Sequence, residues 1–241
     1  METFTIVCLT LMCIGAAFVQ RVSGFGFGIF IMTALPYLMP SYGEATTLSG
    51  TLAAVTSVII VARMWPWLSW RKLLPILITF LIVSWFAVQF VAHSGEGLLK
   101  HILGVVLILA SLYFFCLSER VRIKPTLPMQ VGMGTLSGVM GGLFGMQGPP
   151  AVLYFIASTE RKEEYIALAQ SYFLIGNLTM TLYRAHNGFL TAAVGEAWCY
   201  GIAGVLLGTW LGGKVFDRIS VRTLRRVIYA YMAVSGVVAL I

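Results

Sequence analysis

The segment RVSGFGFGIF, Arg21 to Phe30, places Gly24, Gly26 and Gly28 at alternate positions just after an arginine, within an otherwise apolar run. A second segment, GGLFGMQGPP, Gly141 to Pro150, brings Gly145, Gln147 and Gly148 together with two consecutive prolines. Glycine admits torsions closed to other residues and lets another backbone or a ligand come close, and proline suits the first turn of a new helix. Half-helices restarting after Gly28 and Gly148 would present N–H groups without intrahelical partners and the positive end of the helix dipole. The chemistry these residues support is non-covalent anion binding by main-chain donors. Arg21 would add a charge, while Gln20, Ser23 and Gln147 flank the two turns and would add neutral hydrogen bonds to an oxyanion.

The elements that must position these groups lie in a bilayer. Of 241 residues, 59% are hydrophobic and only 10% charged, and the mean hydropathy is +0.90, outside the range of soluble domains. Uncharged runs suited to crossing about 30 Å of hydrocarbon recur at 3–20, 22–43, 45–62, 73–92, 102–118, 125–159, 165–183, 197–213 and 227–241. No stretch between them could hold a soluble domain. The formal charge of +7 is concentrated in short loops, as orientation in a membrane requires, and a nucleic-acid partner is excluded because it would need an exposed soluble surface.

Residues 4–39 and 128–158 carry the two glycine segments, and an offset of roughly 120 residues also superimposes the spans that follow them. Each half then ends on a basic pair leading into an apolar run, LLKHILGVVLILASL in one and TLRRVIYAYMAVSGV in the other. Internal duplication is expected, with residues 1–118 as a first membrane repeat, 119–127 as a cytoplasmic linker and 128–241 as a second repeat. Arg63, Arg71 and Lys72, then Arg120, Arg122 and Lys124, place their loops inside; Lys214, Arg218, Arg222, Arg225 and Arg226 do the same for the last loop. Counting back puts the TERKEE loop inside as well, so residues 125–159 enter and leave on one face. The predicted architecture is an all-α polytopic bundle of two inverted repeats, each starting with a glycine-rich broken or re-entrant helical hairpin. The first hairpin turns near residues 21–28 and the second near 145–150.

Arg21 either faces an anion at mid-membrane or, if its limb spans fully, snorkels to the inner surface. Ser49, with Thr51, and the matching Gln170, Ser171 and Asn177 fall at helical spacing and would line a pathway. Arg63, Arg184 and His186 sit at span ends, where orientation and surface contact account for them. Glu44 and Glu196 begin spans, each as a dipole-complementing carboxylate or as a carrier of a coupling proton. Cys8, Cys13, Cys116 and Cys199 read as small buried hydrophobes, the histidines have no ligand spacing, and no metal or cofactor is expected. No GxxxxGK[ST] loop or nucleophile elbow suggests an enzyme.

The two motifs, GFGFG followed by Pro36 and GGLFGMQGPPAVLYF, resemble the paired glycine-rich signatures of the sulfite exporter TauE/SafE family, small bacterial membrane proteins with an internal repeat. The resemblance covers essentially the whole chain in length, span order and motif placement. It implies a secondary transporter, in the bacterial inner membrane, of sulfite, sulfoacetate or related sulfur-containing and organic anions. The family's motif is closer to GxGGG; here Phe25 and Phe27 interrupt the first copy, and Gln147, Pro149 and Pro150 the second, where a ligand would sit. The site expected at the repeat interface comprises Arg21, Ser23, Gly24, Gly26, Gly28, Ser49, Gly145, Gln147, Gly148, Gln170, Ser171 and Asn177. Coupling to a proton or a sodium ion is expected from the lack of an ATP motif, and a homodimer is compatible with the sequence. An anion channel of the same architecture and a non-transporting scaffold subunit are the other readings. With the native cysteines replaced, cysteines introduced at Ser94 and Ser220 should be labelled from opposite sides of the membrane; labelling from one side would contradict the inverted topology.

Overall fold

A computed structural model describes residues 2–116, 125–215 and 237 of the chain. Most of the central linker and, apart from Val237, the last loop and final span at 216–241 lie outside the described residues, and so do the expectations placed on them. The described residues form ten α-helices. The first, α1 (Thr3–Ser23), stops at Gly24, whose φ of 84° is left-handed and whose N–H closes onto the Gln20 carbonyl. After Gly26, also left-handed at φ 101°, comes a five-residue helix, α2 (Phe27–Ile31). The short α3 (Leu35–Leu38) follows, with Pro36 in its first turn. The second limb of the expected first hairpin is therefore not one helix but two short pieces joined by a turn.

Next, α4 (Tyr42–Met64) is started by Ser41, which accepts from the Glu44 N–H at 3.2 Å and donates its hydroxyl back to the Glu44 carboxylate at 3.0 Å. This reciprocal bonding resembles a capping box and explains the abrupt helix start. A 3₁₀ turn, Trp65–Trp67, leads to α5 (Trp70–Ala92), and α6 (Glu96–Cys116) completes the first part. The second glycine segment forms α7 (Leu127–Phe144), ended by left-handed Gly145 at φ 68°, and α8 (Gly148–Ser158), with Pro149 and Pro150 in its first turn. Last come α9 (Lys162–His186) and α10 (Ala192–Val215).

Three helix pairs build the bundle. Helix α7 runs parallel to α5: Gly134 lies against Ile76 and Thr79, Gly138 against Phe80 and Val83, and Gly142 against Ser84 and Ala87. The chain then breaks, and α8 returns it to the start of α5, where the Ser158 carbonyl accepts from Lys72 Nζ at 2.9 Å. Helix α10 runs parallel to α1 in the same manner, with Gly204 against Thr10 and Cys13, Gly208 against Ile14 and Ala17, and Gly212 against Phe18 and Arg21. Between these pairs α4 and α9 lie antiparallel, since Ser57 meets Gln170 while the Thr46 carbonyl meets Arg184. The central pair is the most enclosed: nine consecutive residues of α4, Tyr42 to Gly50, and seven of α9, Ala167 to Phe173, are buried.

Small residues make the close parallel contacts, as expected where lipid supplies no hydrophobic drive between helices. A Cβ on Gly204 would lie 2.6 Å from the Thr10 carbonyl oxygen, one on Gly134 2.7 Å from that of Ile76, and one on Gly208 would overlap the carbonyl of Ile14. The glycine stripe of α7 is thus a packing surface. Helices Thr3–Ser23, Tyr42–Trp67, Trp70–Ala92 and Ala192–Lys214 are long and apolar enough to cross a membrane, and Ile78, Ile82 and Phe86 on α5 stay exposed on the outer surface. Cys13 is buried as expected, but Cys199 is exposed on α10. Gly208→Leu, which forces backbone apart, should lower stability by about 3 kcal/mol or more, read as the thermal unfolding midpoint in detergent. Gly132→Ala, where a Cβ meets nothing within 4 Å, should be neutral or stabilising by up to about 1 kcal/mol.

Candidate functional site

The two helix breaks meet. A Cβ on Gly28 would overlap the carbonyl oxygen of Gly145, so the residue after the first break is glycine because the second break occupies the space of a side chain. Around this contact is a cavity of about 30 Å³, lined among others by Gln20, Gly26, Gly28, Gly145, Gln147, Gly148 and Asn177. It has room for about two water molecules, and both helix breaks face it. Seven of the residues expected at the site are thereby brought together or placed beside it, including Ser49, which is 1% exposed and close to Gly145.

Buried non-helical backbone needs hydrogen bonds from within the protein, and one face of α9 supplies many of them. Gln170, Asn177 and Arg184 are spaced seven apart and so project from one side of that helix. Gln170 Nε2 donates to the Gly24 carbonyl at 2.8 Å, and its Oε1 accepts from the Ser57 hydroxyl at 3.1 Å and from Gln20 Nε2 at 3.4 Å. Asn177 Oδ1 accepts from Gln147 Nε2 at 3.1 Å. The backbone of the second break is held from α7 and α9: Tyr172 donates to the Ser137 hydroxyl at 2.8 Å, and Ser137 donates to the Gln147 carbonyl.

Arg184 lies where the sequence reading did not put it. Its side chain is only 1% exposed. It donates to the carbonyls of Thr46 at 2.9 Å on α4 and of Gly141 at 3.0 Å and Gly142 at 3.4 Å on α7. The last carbonyls of α7 are the negative end of its dipole, and a guanidinium with several donors in a fixed fork can tie three of them to two helices. The surface role expected from its place near a span end is replaced by a buried tie. The seven-residue spacing to Asn177 and Gln170 was the signal for it.

Other expected site residues sit elsewhere. Arg21 is one turn before the break and turns toward α10, with its Cβ packed against Gly212. It lines not the central cavity but a neighbouring one of about 190 Å³, with Lys162, Tyr165, Ser23, Gly24 and Gln170. Gln20 lines both cavities. Ser23 uses its hydroxyl locally, donating to the carbonyls of Val19 at 2.8 Å and Phe25 at 2.6 Å. Ser171 is buried on α9 and lines neither cavity. The expected half-helix termini are also weaker than the sequence implied: α2 has five residues, and Pro149 and Pro150 remove two of the four free N–H groups of α8.

Basic residues share one end of the bundle. Arg21, Arg63 and Lys214 line a cavity of about 530 Å³ at the ends of α1, α4 and α10, Lys72 pairs with Glu164 at 2.7 Å, and the Arg161 guanidinium stacks 4.1 Å over Trp67. At the opposite end Glu44 is buried and accepts from the Thr191 hydroxyl at 2.5 Å, linking α4 to the loop before α10.

Apolar spanning helices wrapped around a polar centre made of helix breaks define a multi-pass membrane protein of the transport class. The model for the sulfite exporter TauE/SafE family matches residues 9–239, and the chain belongs to that family. It is 27% identical over 234 residues, covering 90% of this chain and 86% of the relative, to the probable sulfite/organosulfonate exporter TauE of Cupriavidus necator. No solved structure matches it. The family is one of exporters and not of enzymes. Replacing Arg184 by methionine removes the charged donor that three backbone carbonyls share and should cost about 2–5 kcal/mol, with Arg184→Lys recovering only part because the fork is lost. An unfolding midpoint unchanged in both variants would remove Arg184 as the tie between α4, α7 and α9.

Proposed function

We propose that the chain is a secondary transporter of small sulfur-containing or organic anions, sulfite and sulfonates foremost, across the bacterial inner membrane. The observation that carries this reading is the contact of the two helix breaks beside a cavity that Gln20, Gln147 and Asn177 share with apolar side chains. Non-helical backbone at that depth is retained where it serves a site. The name of the Cupriavidus relative supplies the substrate class.

The two halves are read as inverted repeats. Three features support this: the like parallel packing of α1 with α10 and of α7 with α5, the antiparallel crossing of α4 and α9, and the return of α8 to the end from which α7 sets out. The two-half arrangement suits alternating access better than a continuous channel. An anion gathered at the basic end would pass the Arg21 and Lys162 cavity, where positive charge concentrates it, and reach the break contact past Gln20 and Gln170. Movement of one half against the other would then expose it to the far side, with a proton or sodium ion supplying the drive.

Purified protein in liposomes is expected to take up sulfite saturably and to accelerate labelled uptake when preloaded with unlabelled sulfite. Linear flux without counterflow would make it a channel, and no flux at all a subunit of something larger. Arg21→Gln should lower uptake at sub-saturating sulfite by about tenfold while the protein remains monodisperse, because a focusing charge acts on capture. Unaltered uptake would take Arg21 off the route.

A further inference from the structure

The amide oxygens of Gln20 and Gln147 bear on which anions the central cavity accepts, an inference that rests on the reading of that cavity as the substrate site. Both side chains line it and are 2% and 4% exposed. In both, the amide nitrogen is already committed to the protein. Gln147 Nε2 donates to Asn177 Oδ1 at 3.1 Å and to the Phe173 carbonyl at 3.4 Å, and a carbonyl can only accept, which fixes how the amide is turned. Gln170 is fixed in the same way by the Gly24 carbonyl, so its Oε1 faces Gln20 and takes the Gln20 Nε2 proton at 3.4 Å.

What remains is a set of acceptors. Gln20 Oε1 and Gln147 Oε1 are buried without a hydrogen-bond partner, and an amide oxygen in that state is unfavourable until a donor reaches it. On the donor side, Asn177 gives its oxygen to Gln147, which leaves Nδ2 as the free polar atom of a residue that lines the cavity. The first turn of the eleven-residue α8 adds the Gly148 N–H. No carboxylate lines the cavity, which disfavours a bare cation as the occupant of these oxygens.

With the cavity read as an anion site, an occupant that satisfies both sets must also carry a hydrogen-bond donor. We infer that the central site selects monoanions bearing an O–H, such as hydrogen-bearing oxyanions and hydroxyl-substituted sulfonates, over equally charged anions without one. Gln20 and Gln147 are its specificity-determining residues.

Two sulfonates that differ by a hydroxyl in place of a methyl group test this with charge and size held constant. The dissociation constants of 2-hydroxyethanesulfonate and propane-1-sulfonate are measured on the purified protein by calorimetry at neutral pH. The hydroxyl compound should bind about tenfold tighter or more, the worth of a donor for one buried oxygen. Gln147→Met and Gln20→Met should each bring the ratio toward one while propane-1-sulfonate still binds. Equal affinities for the two compounds in the native protein would overturn the inference while leaving an anion site in place, as would stabilisation by sodium chloride beyond that of potassium chloride that is lost in both Gln20→Met and Gln147→Met, which would give the oxygens to a cation. Binding of neither sulfonate, nor of sulfite, would overturn the central anion site as well.

Discussion

Backbone that leaves the helix inside a membrane must find its hydrogen bonds within the protein, because hydrocarbon offers none and each unpaired group costs several kcal/mol. Two such departures occur here, at Gly24 to Gly26 and at Gly145 to Gln147, and much of the interior is arranged around them. The carbonyl of Gly24 is held by Gln170, that of Gln147 by Ser137, and the last carbonyls of α7 by Arg184. A helix that supplies three polar side chains to this purpose is itself too polar to face lipid. Hence α9 lies at the centre against α4, with the more apolar helices around them.

The same constraint explains where charge is tolerated. Arg184 is buried with backbone carbonyls among its described hydrogen-bond partners and lies beside the negative end of α7. Arg21, by contrast, lies one turn beyond the polar centre and packs its stem on the glycines of α10, leaving the central cavity to neutral amides. Neutral hydrogen bonds and partial charges bind an anion less tightly than a fixed cation would. A transporter must release what it binds, and such a centre suits that need.

The helix breaks were legible because they are local: left-handed glycine and proline mark where a helix stops and starts whatever surrounds it. The reason Gly28 must be glycine was not legible, since it depends on a carbonyl more than a hundred residues away. Arg184 was misplaced for a related cause. A cation near the end of a span reads as surface, and only its spacing from Asn177 and Gln170 hinted otherwise. The stripe Gly204, Gly208 and Gly212 on α10 carried a small-residue signal as strong as that of α7, but it has no unusual backbone to draw attention to it. Arg21 was left between the centre and the inner surface because the break was taken to begin there, whereas α1 continues to Ser23 and the Arg21 stem packs on α10. The division of α2 from α3 is marked in the sequence by Pro36 alone, and the turn at 32–34 before it has no glycine to announce it.

Anomalous scattering from crystals grown with selenite, the heavier congener of sulfite, would address the meeting of the two breaks as an anion site most directly. The account requires a selenium peak beside the contact of Gly28 with Gly145, within hydrogen-bonding reach of Asn177 and Gln147. A peak confined to the Arg21 and Lys162 cavity, with none at the breaks, would contradict it.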